Sequence, residues 1–201
     1  SQIISTTEQA TFGGNVILVR LSPNVTIELQ KLERHFYTSS SCGVCGKSSI
    51  AAVHQSGALK LKDEGFHLPA RLLPHLPERV RQQQLLFAET GGIHAAGLLD
   101  QDGKVLMVQE DVGRHNAVDK LIGQALLNQQ LPLHHSLLLL SGRVSFELIQ
   151  KALMAGIPMV AAVGAPSTLA IQLAKDSNMT VVGFLRNGAF NVYCGAERVS
   201  A

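Results

Sequence analysis

From Ser136 to Cys194, short apolar runs alternate with segments of helical periodicity. This alternation predicts strands over 136–141, 158–163, 180–185 and 190–194, and helices over 144–155 and 166–176. Leu137-Leu138-Leu139-Leu140 is apolar at every position rather than every second one. A strand of that kind must be covered on both faces, which is the condition of a mostly parallel sheet. The strand–helix–strand–helix–strand order then gives a three-layer α/β/α domain. Pro166 falls where a first helical residue would stand, a position that tolerates its missing N–H.

Upstream, Asp100-Gln101-Asp102-Gly103 separates apolar runs at 93–99 and 104–109. Asp-Gly between such runs predicts a hairpin, which makes the sheet mixed. Ala117, Val118, Leu121, Ile122, Ala125 and Leu126 recur at helical spacing within 115–128. Earlier still, strands are expected over 15–21 and 25–29 around Pro23-Asn24. A short helix is expected over 50–56 with Ser48 as its cap, and another over 77–87, ending before Thr90-Gly91-Gly92. Residues 57–76, with Pro69 and Pro74, read as an irregular, mobile stretch.

The chain has 201 residues, 46% of them hydrophobic, enough for the core of a single domain over 1–201. A net charge of +2 demands neither a nucleic acid nor an anionic membrane as partner. Trp is absent and aromatic residues make up 4%, which argues against a base-stacking nucleic-acid platform. No secretory leader is read, and no apolar run reaches the ~18 residues of a membrane span. Three cysteines with one close pair point to a reducing cytoplasm rather than a disulfide scaffold. The chain opens on Ser1 in what reads as the middle of a domain, so a preceding segment is expected.

The close pair is Cys42-Gly43-Val44-Cys45, set among serine and glycine over 38–48. Lys47 and a helix start near Ser48 favour the thiolate. Zinc needs about four ligands in a structural site, and no second Cys-x-x-Cys is present. His35 and His54 match no familiar ligand spacing. A thioredoxin-like pair would open a helix directly after a strand. A persulfide carrier and an incidental structural pair remain alongside these readings.

Three further blocks carry chemistry. In Gly91-Gly92-Ile93-His94-Ala95-Ala96 a histidine follows a double glycine at a strand start. It partly matches the His-x-Glu of zinc deaminases, but Ala96 replaces the glutamate and the Cys-x-x-Cys precedes the histidine, so deamination is disfavoured. The run from Glu110 to Lys120 places Asp111, Arg114, His115 and Asn116 where a strand passes into a helix, a setting that often marks a ligand crevice. Finally Ser141-Gly142-Arg143 and Gly183-Phe184-Leu185-Arg186-Asn187-Gly188 are strand exits with glycine for close approach and arginine for phosphate. Phe184 can stack on a planar base. Together they suggest a pocket for an anionic, nucleotide-like ligand.

With Cys42 to Lys47, Glu89 to Ala96, Glu110 to Lys120, Ser141 to Ser145 and Gly183 to Tyr193 in that order, the chain resembles the formate dehydrogenase accessory sulfurtransferase family. The resemblance covers most of the chain from about Ser41 onward. It implies a cytidine-deaminase-like α/β fold and a cytoplasmic maturation factor, commonly a homodimer. It implies a sulfurtransferase that takes sulfur as a persulfide from a cysteine desulfurase. The sulfur passes to the Mo-bis(molybdopterin guanine dinucleotide) cofactor destined for formate dehydrogenase. On this resemblance Cys42 carries the persulfide and Cys45 assists, with no zinc. Val181, Val182, Gly183, Phe184, Leu185 and Arg186, with Gly142 and Arg143, bind the cofactor, and GDP would mimic part of it. An N-terminal portion of the family's chain is expected to be missing. A cofactor-binding chaperone without sulfur chemistry is the alternative, and a zinc-dependent hydrolase is a further rival.

Overall fold

The structure, a computed structural model, describes residues 4–5, 19–20, 60–62, 65–186 and 188–200. The chain divides into two units, 1–39 and 40–201. In the first unit, β1 (Ile4–Ser5) pairs antiparallel with β2 (Val19–Arg20), the latter inside the strand expected over 15–21. The expected strand over 25–29, helix over 50–56 and Cys-x-x-Cys loop lie outside the described residues.

The second unit is built on a six-stranded sheet in the order β5-β4-β6-β7-β8-β9. Its strands are β4 (His94–Leu99), β5 (Val105–Asp111), β6 (Leu137–Leu140), β7 (Met159–Ala162), β8 (Thr180–Arg186) and β9 (Ala189–Cys194). β6, β7 and β8 are parallel, whereas β4 is antiparallel to both β5 and β6, and β9 is antiparallel to β8. Four strands therefore run one way and two the other, giving the mixed, mostly parallel sheet expected. The β4–β5 hairpin turns where Asp-Gly stands. Asp100 Oδ1 accepts the N–H groups of Asp102 (3.0 Å) and Lys104 (2.9 Å), and Gly103 takes φ +69°.

The apolar strands sort their side chains by parity. Ala96, Leu98, Leu138, Leu140, Val160, Ala162 and Val181 face one core. Against them pack α3 (Arg114–Leu127), α4 (Phe146–Met154) and α5 (Thr168–Asp176), through Val118, Leu121, Leu148, Ile149, Ala170 and Leu173. Leu126, part of the expected helical stripe, is half exposed instead. Ala95, Leu99, Leu137, Leu139, Met159, Ala161 and Val182 face a second core.

What covers this second face corrects the sequence reading. β3 (Leu68–Pro69), a 3-10 helix over Ala70–His75 and α1 (Leu76–Arg81) lie there. Phe66, Leu68, Leu73 and Leu76 are fully buried, so 68–76 is a core layer rather than an irregular stretch, whereas 60–62 and 65–67 are irregular as expected. Its helices are too short for a visible 3.6-residue period, and its prolines fit a 3-10 turn. β3 is also tied to the last strand, β10 (Val199–Ser200), in parallel.

Two boundaries differ as well. The helix expected over 77–87 is two helices, α1 and α2 (Leu85–Thr90), because a turn at Gln82–Gln83 intervenes. Pro166 lies outside its helix: Ser167 is the cap, its hydroxyl accepting the Ala170 N–H at 3.2 Å. Pro166 instead forms a bridge with Val144. No helix among the described residues is long and apolar enough to cross a membrane.

Leu73→Ala tests the second layer. Truncating a fully buried leucine costs about 2–5 kcal/mol, so its unfolding midpoint should fall well below that of the wild type. A change within about 0.5 kcal/mol, as at a surface site, would contradict the burial described.

Candidate functional site

The carboxyl ends of β5, β6, β7 and β8 share one edge of the sheet with the amino end of β4. The chain leaves β6 through Ser141-Gly142-Arg143 and β7 through Val163-Gly164-Ala165. These exits are joined sideways by backbone bonds. Val163 N–H donates to Leu140 O, Gly164 N–H to Gly142 O and Phe184 N–H to Gly164 O, each at 3.1 Å. Val144 N–H donates to Ala165 O (3.1 Å) and Ser167 N–H to Val144 O (2.9 Å). A Cβ on Gly164 would stand 2.9 Å from Gly142 O and 3.0 Å from Arg143 Cα, so the turns close only around glycine.

Three depressions open along this edge. A cavity of about 270 Å³ lies where α4 and α5 begin, lined by Arg114, Arg143, Ser145, Pro166 and Ser167. Two helix N-termini and two guanidinium groups there favour an anion. A second cavity of about 560 Å³ is lined by Arg81, Gln84, Gly91, Gly92, His94 and Ser141. A third, about 410 Å³, is lined by Phe184, Arg186, Phe190 and Asn191. Arg143 and Arg186, expected together, thus line separate depressions.

The stretch 181–186 shows how a binding strand can also be core. Val181, Val182 and Leu185 are fully buried. A Cβ on Gly183 would meet Pro166 Cδ at 2.9 Å and Tyr193 Cε2 at 3.0 Å. Phe184 and Arg186 line the third depression. Phe184 has φ +53°, a left-handed conformation costly for an aromatic residue, held by its bond to Gly164 O. The Arg186 guanidinium lies over its ring, 5.6 Å from the centroid.

The run from Glu110 to Lys120 divides between fastening and function. Glu110 Oε2 accepts the Leu86 N–H and Oε1 the Phe87 N–H, both at 2.9 Å. A side chain distant in sequence thereby caps α2. Asp111 accepts from Gly113 N–H (2.9 Å) and Asn116 Nδ2 (3.1 Å), and Lys120 Nζ stands 2.6 Å from its other oxygen. Lys120 first, then these two bonds, holds its pKa down at about 2. Arg114, by contrast, lines the cavity at the starts of α4 and α5.

His115 Nε2 lies 3.0 Å from Ser145 Oγ and 3.8 Å from Glu147 Oε2. Burial pushes the imidazole below its ordinary pKa, and Arg114 adds to this while Glu147 opposes it. His94 Nδ1 is 3.5 Å from Ser141 Oγ, which accepts the Ala95 N–H at 2.9 Å. Cys42 and Cys45 lie outside the described residues, as do His35, Lys47, Ser48 and His54. Cys194 is partly buried, its thiol 3.3 Å from Met179 O, and burial raises its pKa. Among the described residues no group of three or more His, Cys, Asp or Glu side chains could hold a metal ion.

Sequence reasoning missed Ser145, Ser167 and Glu147. Serine at the start of each helix after a strand exit was the available signal for the first two. Nothing in the sequence marked the carboxylate of Glu147 as buried.

A mixed α/β domain with an arginine-lined crevice at its strand carboxyl ends belongs to the broad class that binds ligands at such edges. The FdhD/NarQ family model matches residues 2–200, and the chain belongs to that family. It is 54% identical over 187 residues to the sulfur carrier protein FdhD of Streptomyces coelicolor, covering 92% of this chain and 66% of that one. It is 51% identical over 186 residues to the Mycobacterium tuberculosis protein of the same name, covering 92% and 67%. The chain thus spans about two thirds of the length of these relatives. A solved structure described as a formate dehydrogenase accessory protein, from Desulfotalea psychrophila, superposes with a TM-score of 0.61 at 32% identity, covering 67% of this chain and 57% of that one.

The Asp111 cluster predicts a pH signature. Its carboxyl is held low in the folded protein, so its stabilisation is present above about pH 4 and is lost as pH falls toward 2. Asp111→Asn should lower the melting temperature at pH 7, and its deficit should shrink between pH 4 and pH 2. A deficit independent of pH would count against the ion pair.

Proposed function

We propose that this chain is a sulfur carrier for formate dehydrogenase maturation. On this reading it accepts sulfur as a persulfide from a cysteine desulfurase. It passes that sulfur to the Mo-bis(molybdopterin guanine dinucleotide) cofactor as substrate. The reading rests on one conjunction: relatives about half identical over 92% of the chain are named sulfur carrier proteins, and the chain carries the Cys42–Cys45 pair. The same reading expects a cytoplasmic homodimer that meets both the desulfurase and formate dehydrogenase.

The chemistry asked of the cysteines is thiol exchange. The Cys42 thiolate attacks the outer sulfur of the donor persulfide, the donor's S–S bond breaks, and its thiolate leaves. Cys42 then holds the sulfane sulfur as Cys42–S–SH. Delivery of that sulfur to the cofactor at the sulfide level takes two electrons, which the Cys45 thiolate supplies. Attack by the Cys45 thiolate on the Cys42 sulfur would release the outer sulfur as hydrosulfide and leave a disulfide, which a cellular thiol reduces.

The strand-end depressions suit the two ends of a guanine nucleotide. Arg114 and Arg143, with the starts of α4 and α5, offer donors to phosphate. Gly142 lets the turn backbone come close. Phe184 and Arg186 present a stacking face and a cation for the base. Val181, Val182, Gly183 and Leu185 contribute through the backbone that sets Phe184 in place.

Two experiments separate the halves of this reading. With desulfurase and labelled cysteine, wild type should gain one sulfur atom and Cys42→Ala none. If Cys42→Ala still restores formate dehydrogenase activity, the chain is a cofactor-binding chaperone without sulfur chemistry. Arg143→Ala should weaken GDP binding by about tenfold or more, the worth of a charge-assisted hydrogen bond. Unchanged affinity would remove Arg143 from the site.

A further inference from the structure

Ser145 begins α4 and lines the anion cavity, yet its hydroxyl makes no bond to its own helix. It lies instead 3.0 Å from His115 Nε2. Two residues on, both carboxyl oxygens of Glu147 are buried and accept no hydrogen bond. Their nearest opposite charge would be the same imidazole nitrogen, at 3.8 Å. A buried carboxylate without hydrogen bonds is costly unless a cation stands beside it.

Serine, histidine and glutamate in contact invite comparison with a hydrolytic triad. The geometry excludes that role. A triad needs the hydroxyl and the carboxylate on opposite ring nitrogens, whereas both meet Nε2 here. What the cluster does hold is one titratable ring nitrogen, with the Ser145 hydroxyl in hydrogen-bond reach and a buried carboxylate 3.8 Å away.

We propose that His115 couples anion binding in the Arg114–Arg143 cavity to the uptake of one proton, with Glu147 as the buried counter-charge of the imidazolium. This rests on the phosphate reading of that cavity. His115 is a positioning residue: it acts through Ser145 and through charge. The charges facing it are Arg114 and Asp119 from α3, and Glu147 and Lys151 from α4. Arg114 and Lys151 oppose the charged ring, while Glu147 and Asp119 favour it, and Lys151 and Asp119 are paired with each other. Burial and Arg114 favour the neutral ring. An anion between the two arginines offsets their charge, and the balance passes to Glu147 and the imidazolium.

The test is GDP affinity of the full chain at pH 6, 7 and 8, for wild type, His115→Gln and Glu147→Gln. Glutamine at 115 can still meet the Ser145 hydroxyl but does not titrate. The phosphate's own titration is common to all three proteins and cancels in ratios. The ratio of wild-type to His115→Gln affinity should rise up to about tenfold from pH 8 to pH 6, as a one-unit upward shift on binding requires. In Glu147→Gln the imidazolium loses its counter-charge, so the rise should move to lower pH. Calorimetry of wild type in two buffers of different ionisation enthalpy should show net proton uptake that His115→Gln lacks. Parallel pH profiles, with both variants like wild type, would overturn the coupling alone. Absence of GDP binding to wild type at every pH would overturn the cavity reading, and the coupling with it.

Discussion

One line of backbone hydrogen bonds holds the functional edge together. It runs from Gly142 through Gly164 to Phe184, continuing the sheet's sideways pairing past the point where regular strands end. Each member is a peptide group, so the edge is set by main-chain geometry rather than by exposed side chains. Gly164 is central because its N–H and its carbonyl are both engaged and its neighbours leave no room for a Cβ. The cavity between Arg114 and Arg143, the starts of α4 and α5 and the unusual Phe184 backbone all adjoin this packing of turns. Side chains such as Arg143 are then presented by a frame of main-chain hydrogen bonds.

The chemistry of the edge is asymmetric. The α4–α5 side combines helix N-termini with arginines, and its proton-bearing groups sit behind the wall rather than in the opening. The β8–β9 side offers an aromatic face and one arginine. Between the two, Pro166 and Tyr193 close over Gly183, so the strand joining the depressions is itself core. Of 181–186, Phe184 and Arg186 face the β8–β9 depression, while Val181, Val182 and Leu185 are buried in the core.

The sheet and its crossovers were legible because continuous apolar runs can be stable only between two covering layers. The β4–β5 hairpin was legible because Asp100 supplies a side-chain acceptor and Gly103 a left-handed residue. The layer over 66–81 was hidden. It is built from short helical pieces whose prolines read as breaks and whose burial comes from contact with the sheet, not from its own periodicity. At the site, Gly142, Arg143, Arg114, Phe184 and Arg186 carried recognisable chemistry in the sequence. The sorting of Arg114 and Arg143 into one depression and Phe184 and Arg186 into another depends on which face each turn presents, and that is a tertiary property. Glu147 was invisible because its role depends on burial against His115, which is 32 residues away in sequence.

Glu110 and Asp111 are consecutive residues on β5, and each fastens a different layer: Glu110 binds the start of α2, while Asp111 binds Lys120 and Asn116 on α3. Neighbouring side chains on a strand point to opposite faces, so a slip of one residue in the pairing of β5 with β4 would exchange them. Both helices would then lose their anchors at once. The adjacent carboxylates therefore act as a two-sided check on alignment: misregistration cannot be absorbed on one face while the other stays intact.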